Sequence, residues 1–381
     1  MAELMEPETR STFQIRANRI KFLVGVLFLV SSLGSSAEAS MNRSLLRSPE
    51  ALAMGGAYTA IVDDGDAPFY NPAGVAGIDG ISLHFLTVDP VVSDWVIDGW
   101  KTMKDLKNPK GSDLNRLMGQ NISVATTARA ALLAPGFALV GFYDVQGALY
   151  AKNQALPKIE YGYQRTGGVQ TAFAFSTTDG RRKGRGRKNG EMLNEWRFGL
   201  GAKYISRTGG YRLITAAELF SIDSTSLKSL IGGQGTGYGM DLGVQRVQRL
   251  NRDLTLQWGA AFLNIGDVYF GNGATPLKGD LSTGVGLTYR YGLAALTLAY
   301  DIQQLNRSDD FQKKQNVGAR LKLPLIDLYL GNHQGFLTYG AAADVWLLRV
   351  AGVVYKEELG YYPQQDTESR FSLRVDFKLE F

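Results

Sequence analysis

Residues 371–381 read Phe-Ser-Leu-Arg-Val-Asp-Phe-Lys-Leu-Glu-Phe, an unbroken alternation of apolar and polar side chains. Successive side chains on a strand point to opposite faces. The segment is therefore a ribbon with one apolar side (Phe371, Leu373, Val375, Phe377, Leu379, Phe381) and one polar side (Ser372, Arg374, Asp376, Lys378, Glu380). Its eleven residues match the length a tilted strand needs to cross the hydrocarbon core of a bilayer. An edge strand of a soluble sheet is the alternative. No stretch of the chain reaches the roughly 18 consecutive apolar residues of a membrane-spanning helix. If the chain crosses a membrane it must do so as a closed barrel, because only helices and closed sheets satisfy every backbone hydrogen bond in lipid.

The two-sided ribbon recurs at 196–206, 238–245, 254–262, 281–290, 294–303 and 316–323. Weaker versions lie at 81–88, 121–132, 137–146, 168–178, 325–331, 336–344 and 346–356. With the terminal ribbon these make fourteen, an even number as single-chain barrels require. Further strands could hide in 146–167 and 209–220. The expected fold is all-β, a transmembrane antiparallel barrel of about 14 strands spanning 81–381. Its polar phase places Arg197, Lys203, Asp241, Asp301, Arg320 and Arg374 on the lumen wall. With a periplasmic C-terminus, 134–136, 249–253 and 291–293 become short periplasmic turns. The longer connections 89–120, 207–236, 266–280, 304–314 and 357–369 then fall outside, as the barrel rule asks. Trp196, Trp258, Trp346, Tyr291, Phe371 and Phe381 sit where interfacial aromatic girdles belong. A secreted β-sandwich would share the period but not these strand lengths.

The N-terminus supplies an address. Arg10, Arg16, Arg19 and Lys21 precede the apolar run Phe22–Val30, and Ala37-Glu38-Ala39 follows. This is the layout of a secretory signal peptide, with cleavage expected after Ala39. A retained anchor is the competing reading, but the apolar run of about twelve residues is short for a span. The chain has no cysteine and two histidines, which excludes disulfides, thiolate zinc sites and a histidine-rich metal centre. Its net charge of +5 is small and owes much to Arg181-Arg-Lys-Gly-Arg-Gly-Arg-Lys188, a run expected to be solvated, with lipopolysaccharide phosphates or an acidic partner as its ligands. Nucleic-acid binding is not expected.

Residues 40–80 form a plug-like segment before the first strand. Ser48-Pro49-Glu50 and Asn71-Pro72 both join a capping side chain to a proline that needs no amide donor. Glycines 55 and 56 should end the first helix. Asp63, Asp64 and Asp66 lack the loop spacing and closing glutamate of a calcium site, so salt links to arginines on the inner wall are expected. Residues 89–120 read partly helical, with Trp95, Val96, Trp100, Met103 and Leu106 on one side, as an outer cap or ligand entrance.

The pattern Ala53-Met-Gly-Gly-Ala-Tyr-Thr-Ala60, then Asp63-Asp64, then Tyr70-Asn-Pro-Ala-Gly74 resembles the N-terminal signature of the FadL/PorV-like outer-membrane barrels. The resemblance covers about thirty residues, and its wording is nearer the PorV-like branch. It implies a lumenal hatch containing Gly55, Gly56, Asp63, Asp64, Asn71, Pro72 and Ala73, with a gating role. It also makes the ending at Phe371, Phe377 and Phe381 similar to the signal read by the barrel-insertion machinery. The implied location is the outer membrane of a Gram-negative bacterium, in contact with its lipid and lipopolysaccharide.

Enzyme motifs are missing: there is no G-x-S-x-G elbow, paired histidine ligands or Walker loop. No cofactor or metal is expected. The leading expectation is passive transport of small hydrophobic compounds through a plugged lumen. The alternative is a non-transporting accessory barrel, PorV-like, that serves a periplasmic or secretion partner.

Overall fold

The computed structural model describes residues 45–98, 119–152, 158–179, 194–215, 233–360 and 364–381. The expected signal peptide, the basic run 181–188 and Trp100, Met103 and Leu106 lie outside the described residues. Fourteen strands follow in chain order: β1 (Ser82–Ser93), β2 (Asn121–Ala134), β3 (Phe137–Lys152), β4 (Lys158–Asp179), β5 (Asn194–Thr215), β6 (Gln234–Arg249) and β7 (Leu254–Leu263). The remainder are β8 (Asp280–Tyr291), β9 (Ala294–Ile302), β10 (Gln315–Lys322), β11 (Ile326–His333), β12 (Phe336–Val345), β13 (Leu348–Glu358) and β14 (Thr367–Glu380). Each pairs with its chain neighbours, and β1 closes on β14 to complete an antiparallel barrel. The Phe381 amide donates to the Ile81 carbonyl at 2.8 Å, so the closing seam runs to the final residue.

The alternation sets inside and outside. Along β6, Tyr238, Met240 and Leu242 are 78, 54 and 50 % exposed, whereas Asp241 between them is fully buried. Phe198, Leu200 and Tyr204 on β5, Leu296 and Leu298 on β9 and Phe371 and Phe377 on β14 are likewise exposed. An apolar outer wall round a polar interior inverts the arrangement of a soluble barrel, and an apolar surface of this extent calls for lipid contact. One irregularity interrupts β1. A bulge between His84 and Thr87 leaves Phe85 and Leu86 both exposed and returns Thr87 and Asp89 to the interior.

All fourteen expected strands are present, but the alternation undersized several. β4 and β5 run 22 residues each, absorbing 158–167 and 207–215 instead of spending them on additional strands. Beyond the bilayer the outer face no longer has to be apolar, so the period fades where Arg165 on β4 and Ser206 and Thr208 on β5 face outward. β1 likewise continues to Ser93, which corrects the reading of 89–93 as loop; among the described residues a helix follows over Asp94–Asp98. Turns at 135–136, 250–253, 292–293, 323–325 and 346–347 share one end of the barrel with Ile81 and Phe381, and longer connections at 264–279 and 303–314 occupy the other. The connection between β11 and β12 is an exception at that far end. It is a two-residue turn at Gln334-Gly335, both with left-handed φ, as a tight hairpin demands.

Candidate functional site

Residues 45–80 fill the barrel from the end that carries Ile81 and Phe381 up to the far ends of β10, β11 and β13, where Gly56 meets Asn316 and Arg47 pairs with Glu357. The plug contains α1 (Pro49–Ala53), α2 (Ala67–Tyr70) and a 3-10 helix over Pro72–Gly77. Both cap-and-proline starts form: the Ser48 hydroxyl accepts from the Ala51 amide at 3.4 Å, and the Asn71 carbonyl oxygen Oδ1 accepts from the Ala73 amide at 3.1 Å. After α1 the chain turns at Gly55 and Gly56, with φ of +66° and +93°. A Cβ on Gly55 would lie 2.4 Å from the Asn332 carbonyl oxygen and 2.5 Å from that of Val317, so the turn is wedged against β10 and β11. The wall answers with glycines of its own. Gly318 and Gly331 face Met54 and Gly55, and Gly199, Gly243 and Gly259 face Asn71–Ala73 and Thr59–Ala60. The lack of side chains on both surfaces lets two backbones meet.

Hydrogen bonds stitch the plug to the wall. Asp301 on β9 accepts from the Tyr58 and Thr59 amides at 2.8 and 2.7 Å. Asn71 donates through Nδ2 to the Thr59 carbonyl at 2.9 Å and the Val244 carbonyl at 3.2 Å, joining plug to plug and plug to β6. Gln245 donates to the Val62 carbonyl, Gln170 to that of Pro68, Thr338 to that of Ala53 and Gln303 to that of Gly56. Charge adds to this. The Arg374 guanidinium contacts Glu50 at 2.7 Å, Asp66 at 2.9 Å and Asp89 at 2.8 Å. Arg129 reaches Asp66 at 2.5 Å, and Arg349 reaches Glu50 at 3.2 Å and Asp327 at 2.9 Å. Three wall arginines thus converge on two plug carboxylates. Burial alone would raise the Asp66 carboxyl, but Arg129 and Arg374 outweigh it and hold it well below the usual carboxylate range. Asp64 has no such partner. Burial, with the charge of Asp66 beside it, pushes its carboxyl up to about 6, while the Tyr58 hydroxyl donates to it at 2.5 Å.

These contacts redistribute the expected site. Gly55, Gly56, Asn71, Pro72 and Ala73 lie in the plug, and Asn71 and Ala73 are fully buried. Of the three aspartates expected to meet wall arginines, Asp66 does so; Asp63 is exposed, and Asp64 turns to Tyr58. Of the wall residues, Arg374 and Asp301 hold the plug. Lys203 and Asp241 pair with each other at 2.9 Å and hold the 264–279 connection through Asn264. Arg197 pairs with Glu195 at 3.2 Å beneath Gly77, and Arg320 forms no ion pair among the described residues. Glu50, Arg129 and Arg349 were not anticipated. The one available cue was the isolated charge in otherwise apolar stretches, as in Ala128-Arg129-Ala130.

Above the plug, on the side of the long connections, lies a recess of about 90 Å³ that opens to solvent. Leu46, Leu52, Phe69 and Tyr70 give it an apolar floor, and Gln303, Gln304, Lys314 and Asn316 belong to its polar wall. Phe371, Phe377 and Phe381 point outward, 37, 47 and 79 % exposed, on the outer wall.

No protein-family model and no curated protein matches this sequence. Among solved structures, the chain is similar to a deltaS2S3 mutant of the monoaromatic hydrocarbon channel TodX, with 12 % identity and a TM-score of 0.45 over 91 % of this chain and 99 % of that one. The Ralstonia pickettii toluene transporter TbuX aligns with 11 % identity and a TM-score of 0.44 over 90 % and 99 % of the two chains. A Pseudomonas aeruginosa FadL homologue aligns with 11 % identity and a TM-score of 0.31 over 88 % and 99 %. By architecture this chain is a plugged, closed fourteen-strand β-barrel, similar to the FadL-type hydrocarbon channels.

Proposed function

We propose that the barrel sits in the outer membrane of a Gram-negative bacterium and passes small hydrophobic compounds passively, from outside, through its plugged lumen. The observation that supports this most directly is the recess above the plug, whose floor of Leu46, Leu52, Phe69 and Tyr70 offers apolar contact reachable from solvent. A ligand resting there lies directly on the segment that blocks its way. Passage then requires the plug to loosen locally, and the glycines and Asn71 that seat it control that step. No part of this needs an energy source or a reacting group.

Flux of hydrophobic compounds into proteoliposomes, with a charged solute as leak control, tests the reading. The native chain should admit the hydrophobic compounds and exclude the charged solute. Asn71→Ala removes both Nδ2 donors and the acceptor for Ala73, so it should change hydrophobic flux. Flux identical to empty liposomes for the native chain sinks the proposal, and a native rate unmoved by Asn71→Ala sinks the role of the plug.

A further inference from the structure

The plug is not the only element inside the lumen. Residues 264–279, connecting β7 to β8, fold back into the barrel as a short hairpin in which Val268 and Leu277 exchange backbone bonds of 2.8 and 2.9 Å. The surface that receives it is the inner face of β6. There Gly233, Gly235, Gly237 and Gly239 recur at every second position, so no side chain projects inward from that stretch. A Cβ on Gly235 would lie 1.3 Å from the Phe270 carbonyl oxygen and one on Gly233 1.4 Å from that of Asn272. Cβ atoms on Gly237 and Gly239 would lie 2.6 and 2.8 Å from the Val268 methyls. Backbone meets backbone here as closely as it does under the plug.

The rest of the hairpin is anchored as firmly. Val268, Phe270 and Leu277 are 1, 4 and 0 % exposed and join Ile205 of β5 in the same apolar cluster as the plug. Arg207 stands over the Phe270 ring at 4.7 Å and donates to the Thr275 carbonyl at 3.0 Å. At the hairpin base, Asn264 accepts from Lys203 at 2.7 Å and donates its amide to Asp241 at 2.7 Å. Left-handed φ values at Asn264, Gly266, Asp267, Gly271, Asn272 and Gly273 shape the segment, each at a residue type that tolerates them.

We propose that residues 264–279 are a fixed lumenal constriction, docked on the glycine face of β6, that fills the β5–β6 sector and sets the largest solute the barrel admits. Passage is confined to the recess over β8 to β11, whose wall begins where the hairpin ends, at Leu263, Asp280 and Ser282. The size limit rests on the transport reading, but the obstruction itself does not.

The chain has no native cysteine, so single introduced thiols report alone. Ile205→Cys, beneath the hairpin, should resist a membrane-impermeant thiol reagent in the otherwise native full-length protein in detergent, whereas Arg252→Cys, in the exposed turn between β6 and β7, should react at once. Adding Gly235→Val, or in a second variant replacing 266–278 by Asn-Gly, should abolish the protection and let proteoliposomes take up larger hydrophobic compounds than the native chain admits. Reaction of Ile205→Cys in the native background at the rate of Arg252→Cys overturns the proposal. So does a hairpin variant that unmasks Ile205 yet admits no larger hydrophobic compound. A chain that carries no hydrophobic compound but shows the expected labelling refutes the transport reading, and the size limit with it, while the obstruction stands.

Discussion

Removing the Arg374 guanidinium is the sharpest test of how the plug is held. Its contacts with Glu50, Asp66 and Asp89 are all between groups at most 5 % exposed. Breaking a buried ion pair from one side typically costs about 3–5 kcal/mol, because the remaining charge stays buried without compensation. Arg129 still reaches Asp66 and Arg349 still reaches Glu50, so Arg374→Met should fall near the lower end, about 3 kcal/mol. The barrel ladder does not depend on this side chain, and β14 keeps its backbone partners in β1 and β13. The loss should therefore appear as local opening of the plug, about 100-fold at roughly 1.4 kcal/mol per decade. Amide hydrogen exchange in detergent, resolved by peptide, reads this directly. Peptides from 45–80 should exchange about 100-fold faster, while those from β6 to β9 stay unchanged. Arg374→Lys should recover part of the protection, since it restores charge without the fork that engages three carboxylates at once. Unchanged exchange in the plug, or a uniform rise across all strands, would refute the reasoning.

Three further outcomes follow from the same geometry. Gly55→Val places a branched side chain at left-handed φ and against two wall carbonyls, so it should release the plug to protease while leaving the folded barrel band on unheated gels intact. Asp64, with its carboxyl raised to about 6 in the fold, binds its proton more tightly folded than unfolded. Its stabilising contribution is complete below the ordinary carboxylate pKa and disappears as pH rises through about 6; Asp66, held low, contributes in the opposite sense, above that range. Plug exchange measured from pH 4 to 7 should carry the Asp64 component, and Asp64→Asn should remove it; an identical pH slope in the variant would contradict the assignment. Leu298→Arg, on the outer face at 49 % exposure, should destabilise the membrane-embedded barrel by about 2–4 kcal/mol if that face meets the bilayer midplane. An unchanged unfolding free energy in lipid vesicles would argue against the lipid-facing wall.

The barrel was legible in the sequence because its dominant constraint is local. A strand with lipid on one side and a polar interior on the other must alternate residue by residue, and Tyr238-Gly-Met-Asp-Leu242 or Phe371–Phe381 declares this without reference to the rest of the chain. The same logic missed the outer halves of β4 and β5, where water on both sides relaxes the alternation. The caps at Ser48 and Asn71 were equally local, each a side chain bonding an amide two or three residues away.

The pairing of inward groups was decided elsewhere. Asp63, Asp64 and Asp66 look alike in sequence, yet Asp66 meets Arg129 and Arg374 while Asp64 meets Tyr58. That choice depends on how the closed barrel brings β2 and β14, some 250 residues apart in sequence (Arg129 and Arg374 are 63 and 308 positions from Asp66), to the same point on the plug. The glycines of β6 show the division clearly. Their spacing is written in the chain, but only the return of residues 264–279 into the lumen explains why no side chain fits there. Alternation follows from the medium on each side of a strand, which every residue meets on its own; occupancy of the lumen follows from barrel closure, which no segment carries alone.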